Sequence, residues 1–110
     1  MSAYQRNKGN RIERYVILMH KDTGIPCERN LSQSRDGGRD VDWDLPVCLE
    51  IKGGKLPPWK KGYKQAERAA GPRKEWWACW THEDRGPDIV HMPAELWLEM
   101  ASALRRLGEW

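Results

Sequence analysis

Glu50 and Lys52 stand two residues apart in the run Val47-Cys48-Leu49-Glu50-Ile51-Lys52. In an extended chain alternate residues project to the same face, so this carboxylate and ammonium leave the strand together, about 7 Å apart along it. Val47, Leu49 and Ile51 take the opposite, apolar face. A charged pair on an interior strand is expensive to bury. An exposed sheet face with an ordinary surface ion pair would satisfy the same spacing. Three features favour a functional pair. Gly53-Gly54 follows the strand, Asp40 precedes it on an extended segment that can approach Glu50 across a hairpin, and Glu13 offers a third carboxylate from a helix. Such an oxygen-rich group suits Mg²⁺, with Mn²⁺ as a substitute. A cation there acidifies water and stabilises charge on a phosphoryl oxygen. The lysine orients or helps deprotonate the water and neutralises developing charge. Phosphodiester hydrolysis requires these parts.

Asp42 and Asp44 compete with Asp40, because alternation puts all three on one face of the strand. Basic residues bracket the group: Arg35 and Arg39 on the turn before it, and Lys55, Lys60, Lys61 and Lys64 after it. They are candidates to grip phosphates on either side of a cut, although a charge-rich helix face is usually just solvated. Trp59 and Tyr63 share an apolar helical stripe, which predicts core packing rather than base stacking. His82-Glu83 and His91 lack the histidine spacing of a helical zinc site, and His82 reads as a surface residue at a turn. Neither a phosphate-binding Walker loop nor GxGxxG is present, and no cysteine shows a hydrolase signature.

The elements that must position these residues follow from periodicity. Ile12, Tyr15, Val16 and Met19 predict a helix over residues 10–20, ended by Gly24 and Pro26. Residues 27–32 read as a strand entering the polar turn Asp36-Gly37-Gly38, and residues 40–44 and 47–52 as a hairpin. Gly53-Gly54 should break the second strand. Pro57-Pro58 opens a helix carrying Trp59, Tyr63, Ala66 and Ala70, and Gly71-Pro72 stops it. Residues 75–81 are apolar on both faces, which predicts a central strand covered twice. Residues 88–92 form a short strand, and a last helix from near Pro93 aligns Leu96, Met100, Ala103 and Leu107. The order predicts an α/β domain with one mixed sheet flanked by helices.

The chain of 110 residues has room for one core. Seven Trp and three Tyr supply apolar bulk in the absence of Phe. The net charge of +3, with 32% of residues charged, permits nucleic-acid binding without requiring it. Cys27, Cys48 and Cys79 are odd in number and widely spaced, which argues against a zinc ribbon or disulfide scaffold. Cys48 and Cys79 read as small buried fillers suited to a reducing compartment. The polar N-terminus and the lack of a long apolar run predict a soluble, cytoplasmic protein.

Asp40 followed by Glu50-Ile51-Lys52 resembles the PD-(D/E)XK motif of restriction-endonuclease-like nucleases, with Arg39 in place of the usual proline. The likeness is closer to the archaeal and phage Holliday-junction resolvases. It begins with the Gly-x-x-x-Glu-Arg helix (Gly9-Asn10-Arg11-Ile12-Glu13-Arg14) and runs through Gly38-Arg39-Asp40 and the Glu50 strand to Gln65-Ala66, roughly residues 7 to 92. The resemblance implies a restriction-endonuclease-like mixed five-stranded sheet flanked by helices. It also implies that Glu13, Asp40 and Glu50 hold metal, that Lys52 serves the water and that Gln65 supports the site. Its spacing favours Asp40 over Asp42. The activity implied is metal-dependent DNA cleavage at four-way junctions by a homodimer, in the host cytoplasm if phage-encoded. The alternatives are a nuclease of the same fold acting on flaps, nicks or single strands in replication and repair, or a non-catalytic DNA-binding module. A structural protein with no nucleic-acid role is the remaining option.

Overall fold

The computed structural model describes residues 3–31 and 39–110. Arg35 and the turn at Asp36-Gly37-Gly38 lie outside the described residues. The first helix, α1 (Ala3–Asp22), is longer than its apolar stripe suggests. It buries Ile12, Val16 and Ile17, while Tyr15 stays open. It ends in a Schellman turn: Gly24 adopts φ +88°, and the Gly24 and Ile25 amides donate to the carbonyls of Lys21 and His20.

Two short strands, β1 (Glu28–Arg29) and β2 (Val41–Asp42), pair antiparallel. A second sheet holds β3 (Val47–Gly54), β4 (Trp76–Glu83) and β5 (Asp88–His91) in the order β3-β4-β5. β3 and β4 are parallel and joined through α2 (Trp59–Ala70), whereas β4 and β5 are antiparallel. The expected single five-stranded sheet is therefore divided into sheets of two and three strands. The expected hairpin does not form either, because β2 takes β1 as its partner. Asp40 bridges to β3 through backbone and side-chain hydrogen bonds, and the Trp43 indole donates to the Val47 carbonyl.

Alternation along β3 and β4 gives the three-stranded sheet two unlike faces. Leu49, Ile51 and Ala78 join Ile12, Val16, Ile17, Cys27 and Val41 in the apolar core under α1, with Trp43, Val47, Trp80 and Met92 at its margin. The other face carries Cys48, Glu50, Cys79 and Thr81, all buried, and is covered by α2. That helix turns Gly62, Ala66 and Ala70 inward, so its backbone lies close to the sheet. β4 is central, as its two apolar faces predict.

Gly53 and Gly54 continue β3, opposite His82 and Glu83, where the sequence suggests a break. A Cβ on Gly53 would collide with the Ile12 side chain, and Gly54 has φ +128°. Gly53 leaves space for the Ile12 side chain, whereas Gly54 has open space around it and is favoured by its positive φ. α2 passes into a 3₁₀ turn at Gly71–Arg73, closed by Lys74 in a left-handed conformation. The last helix, α3 (Ala94–Arg106), buries Leu96 alone. Met100 and Leu107, expected in its core stripe, are 43% and 75% exposed. All three cysteines are free and buried. Among the described residues, no helix is long and apolar enough to cross a membrane.

Candidate functional site

Asp40 lies against the free edge of β3. Its amide donates to the Leu49 carbonyl at 3.1 Å, and its Oδ2 accepts the Ile51 amide at 2.6 Å. The Asn30 amide donates to the Asp40 carbonyl at 2.9 Å, which ties the β1 side to the same residue. Asp40 thus supplies the hydrogen bonds that a neighbouring strand would otherwise give this edge. It is 5% exposed, and Glu50, between those two β3 partners, is 7% exposed. Their carboxyl groups share a hydrogen bond.

Burial is the main force on both acids, since a charged carboxylate loses its hydration there. It raises the Glu50 pKa well above the carboxylate range, reinforced by the charge and hydrogen bond of Asp40. Asp40 is also raised by burial, against the Ile51 amide, which favours its charged form. Glu13 adds repulsion to both, and Lys52 opposes it. The arrangement that satisfies these forces has the two carboxyl groups sharing one proton. Cys79, paired with Glu50 across the strands, has its thiol pushed up to about 12 by burial, partly offset by Lys52. It is a neutral thiol at physiological pH.

Lys52 is half-buried beneath α2. A Cβ on Gly62 would lie 2.9 Å from its Cγ and 2.5 Å from the Cys79 Sγ. Gly62 therefore permits the helix to lie on the lysine stem. One turn further along α2, Gln65 keeps its Oε1 buried with no hydrogen-bond partner among the described residues. An amide oxygen left in that state costs free energy unless a ligand satisfies it.

Glu13 is placed differently from the other two acids. Its Oε2 accepts from Arg29 Nη2 at 2.8 Å and Nε at 3.2 Å, and Arg29 also donates to Asn10 Oδ1 at 2.9 Å. Asp42 and Asp44 are exposed, so folding separates Asp40 from the two aspartates that share its alternation. Arg39 is only 8% exposed, with its guanidinium 3.3 Å from Glu75 and 3.9 Å from Asp42. It faces a carboxylate inside the fold rather than solvent. Lys55, Lys60, Lys61 and Lys64 are exposed, and Arg35 falls outside the described residues. His82 belongs to β4 rather than to a turn, and its Nδ1 lies 2.7 Å from Asp88.

Sequence reasoning missed Gly62 and Arg29. Gly62 had a signal, since Gly62, Ala66 and Ala70 form a small-residue stripe at four-residue spacing. Arg29 had none, because its partner Glu13 is sixteen residues away.

Among the described residues, no three His, Cys, Asp or Glu side chains converge as a metal-ligand group. Two carboxylates meet. That donor set fits Mg²⁺, which commonly takes one or two carboxylates and retains several waters. It does not fit zinc, which prefers nitrogen and sulfur ligands, since the nearby Cys79 is held as a thiol. Compared with known proteins, the chain matches no family model and no curated protein sequence.

Proposed function

We propose that this chain is a metal-dependent endodeoxyribonuclease hydrolysing phosphodiester bonds, with the four-way DNA junction as its substrate. One observation carries the reading: Asp40 and Glu50 are buried against each other beside Lys52, where burial and mutual repulsion oppose ionisation of both. Packing apolar side chains there would be more stable than this arrangement. The arrangement is understandable if an ion replaces the shared proton.

Asp40 and Glu50 would hold that ion, with Gln65 supporting the site. Bound there, a divalent ion supplies positive charge against which negative charge develops on the phosphoryl oxygens. Asp40 is held in place by the Ile51 amide and the Leu49 carbonyl, so it needs no reorganisation to bind. Lys52 directs its ammonium charge at the carboxylates. It neutralises charge on the scissile phosphate and orients the attacking water. The exposed lysines of residues 55–64 hold the flanking phosphates, which makes binding salt-dependent. A homodimer would supply two such sites for two symmetric cuts. The open apolar residues of α3, Trp97, Leu98, Met100 and Leu107, offer the surface for that association. A monomer at micromolar concentration would rule the dimer out.

A second reading is favoured by the pairing of Glu13 with Arg29, which leaves two carboxylates at the centre. It keeps the DNA-binding surface and dispenses with cutting. The deciding experiment incubates labelled four-way junction, matched duplex and flap with the wild type and Asp40→Asn, in Mg²⁺ or EDTA. Paired symmetric nicks in the junction alone, absent with EDTA and in Asp40→Asn, are the expected result. Cutting of flap or duplex would retain the nuclease and discard the junction. Binding without cutting in Mg²⁺ or Mn²⁺ would establish the second reading.

A further inference from the structure

Trp59 shares an apolar stripe with buried residues, yet it is 41% exposed. It is the first residue of α2, one turn before Gly62, which lies on Lys52. Its indole stacks on the His91 ring with centroids 4.8 Å apart and planes within 6°. The Tyr63 ring meets it edge-on at 6.5 Å. His91 is itself held, with Nε2 3.0 Å from the Thr81 hydroxyl, and burial lowers its pKa, leaving the ring neutral at pH 7. The indole is therefore fixed in orientation from one side and open to solvent on part of its surface. The chain segment that carries Trp59 has charge of one sign. Residues 51–66 include Lys52, Lys55, Lys60, Lys61 and Lys64 and contain no Asp or Glu. The Lys60 ammonium stands 5.7 Å from the Trp59 ring centroid.

We propose that Trp59, backed by His91, is a stacking platform for an unpaired base of a DNA strand, with Lys55, Lys60 and Lys61 gripping that strand's phosphates. The proposal rests on the nucleic-acid reading above and adds to it a class of substrate feature: a base outside the double helix, beside the site of cutting. A rigid aromatic face loses little entropy when a base stacks on it, and stacking tolerates any base. A merely structural tryptophan at this position would need neither the open face nor the lysine-rich, acid-free segment that carries it.

The test measures binding, in EDTA, of two labelled DNAs of equal length to the wild type, Trp59→Ala, Trp59→Phe and Lys60→Ala. One is a fully paired duplex, and the other carries unpaired 2-aminopurine. Trp59→Ala is expected to weaken binding of the unpaired DNA about tenfold, leaving the duplex and the salt dependence unchanged. The 2-aminopurine quenching seen with the wild type should be lost in Trp59→Ala and largely kept in Trp59→Phe. Lys60→Ala should weaken both DNAs alike and reduce the salt slope. Equal affinities of wild type and Trp59→Ala for the unpaired DNA, or an equal loss on both DNAs, would overturn the platform while leaving the nuclease reading intact. Failure of the wild type to bind either DNA would overturn both.

Discussion

The two faces of the three-stranded sheet use their buried area in opposite ways. Under α1, Leu49, Ile51 and Ala78 meet Ile12, Val16 and Ile17 in a hydrophobic cluster. Under α2, Glu50, Thr81 and two cysteines occupy equivalent positions, and the helix presents glycine and alanine. The first face gains stability from area removed from water, about 25 cal/mol per Å². The second buries carboxyl groups at a cost and closes over them with the smallest side chains available. Adjacent residues of β3 thus join an apolar core and a buried carboxyl group separately, because a strand sends neighbours to opposite sides.

If the division of labour is right, substitutions on the two faces should have opposite signatures. The largest effect is expected from Glu50→Gln in a cleavage assay. Loss of about a thousandfold or more in rate should accompany a fold that is as stable as the wild type or more so. A Glu50→Gln protein that cuts normally would remove Glu50 from the site. On the other face, Leu49→Ala should destabilise the fold by about 2–5 kcal/mol in urea titrations. The rate per folded molecule should be unchanged. A selective loss of rate would mean that the two faces are not independent.

Gly62→Val sharpens the comparison, since its side chain would meet Cys79 and the Lys52 stem. We expect a loss of about 1–3 kcal/mol from overpacking together with reduced cleavage, because Lys52 must move. Normal activity in this variant would show that the lysine position is not critical. The smallest effect concerns pH. Both acids have folded pKa values above their unfolded ones, so between the two the folded chain binds more protons. Their contribution to stability is complete below about pH 4, and it falls as pH rises through the raised values. Melting temperature without metal should therefore drop across this window, and Glu50→Gln should flatten the drop. Mg²⁺ should raise the melting temperature more at the alkaline end, where binding displaces fewer protons. A Mg²⁺ effect independent of pH would contradict replacement of the shared proton.

Local order was largely legible in the chain. The alternation of Val47, Leu49 and Ile51 against Glu50 and Lys52, the central position of β4 and the stop at Gly71-Pro72 all depend on neighbouring residues, so they could be read before folding. Trp59 shows the limit of that reading: its stripe matched buried residues, but at the start of α2 its ring packs on His91 of β5 and still stays 41% exposed. The stripe of α3 misled in the same way, because periodicity shows which side chains share a face and not whether anything covers it.

The sequence by itself determined which residues share a face and that a carboxylate and a lysine stand together on β3. Its alternation left Asp40, Asp42 and Asp44 equivalent, and the spacing of the resemblance favoured Asp40 over Asp42. The tertiary structure separates them physically, by pairing β2 with β1 and seating Asp40 on the β3 edge. It also gave Glu13 to Arg29 and Arg39 to Glu75. The physical reason is common to these cases. Partner choice across sixteen to thirty-six residues depends on how strands and helices pack, and no local pattern encodes that choice.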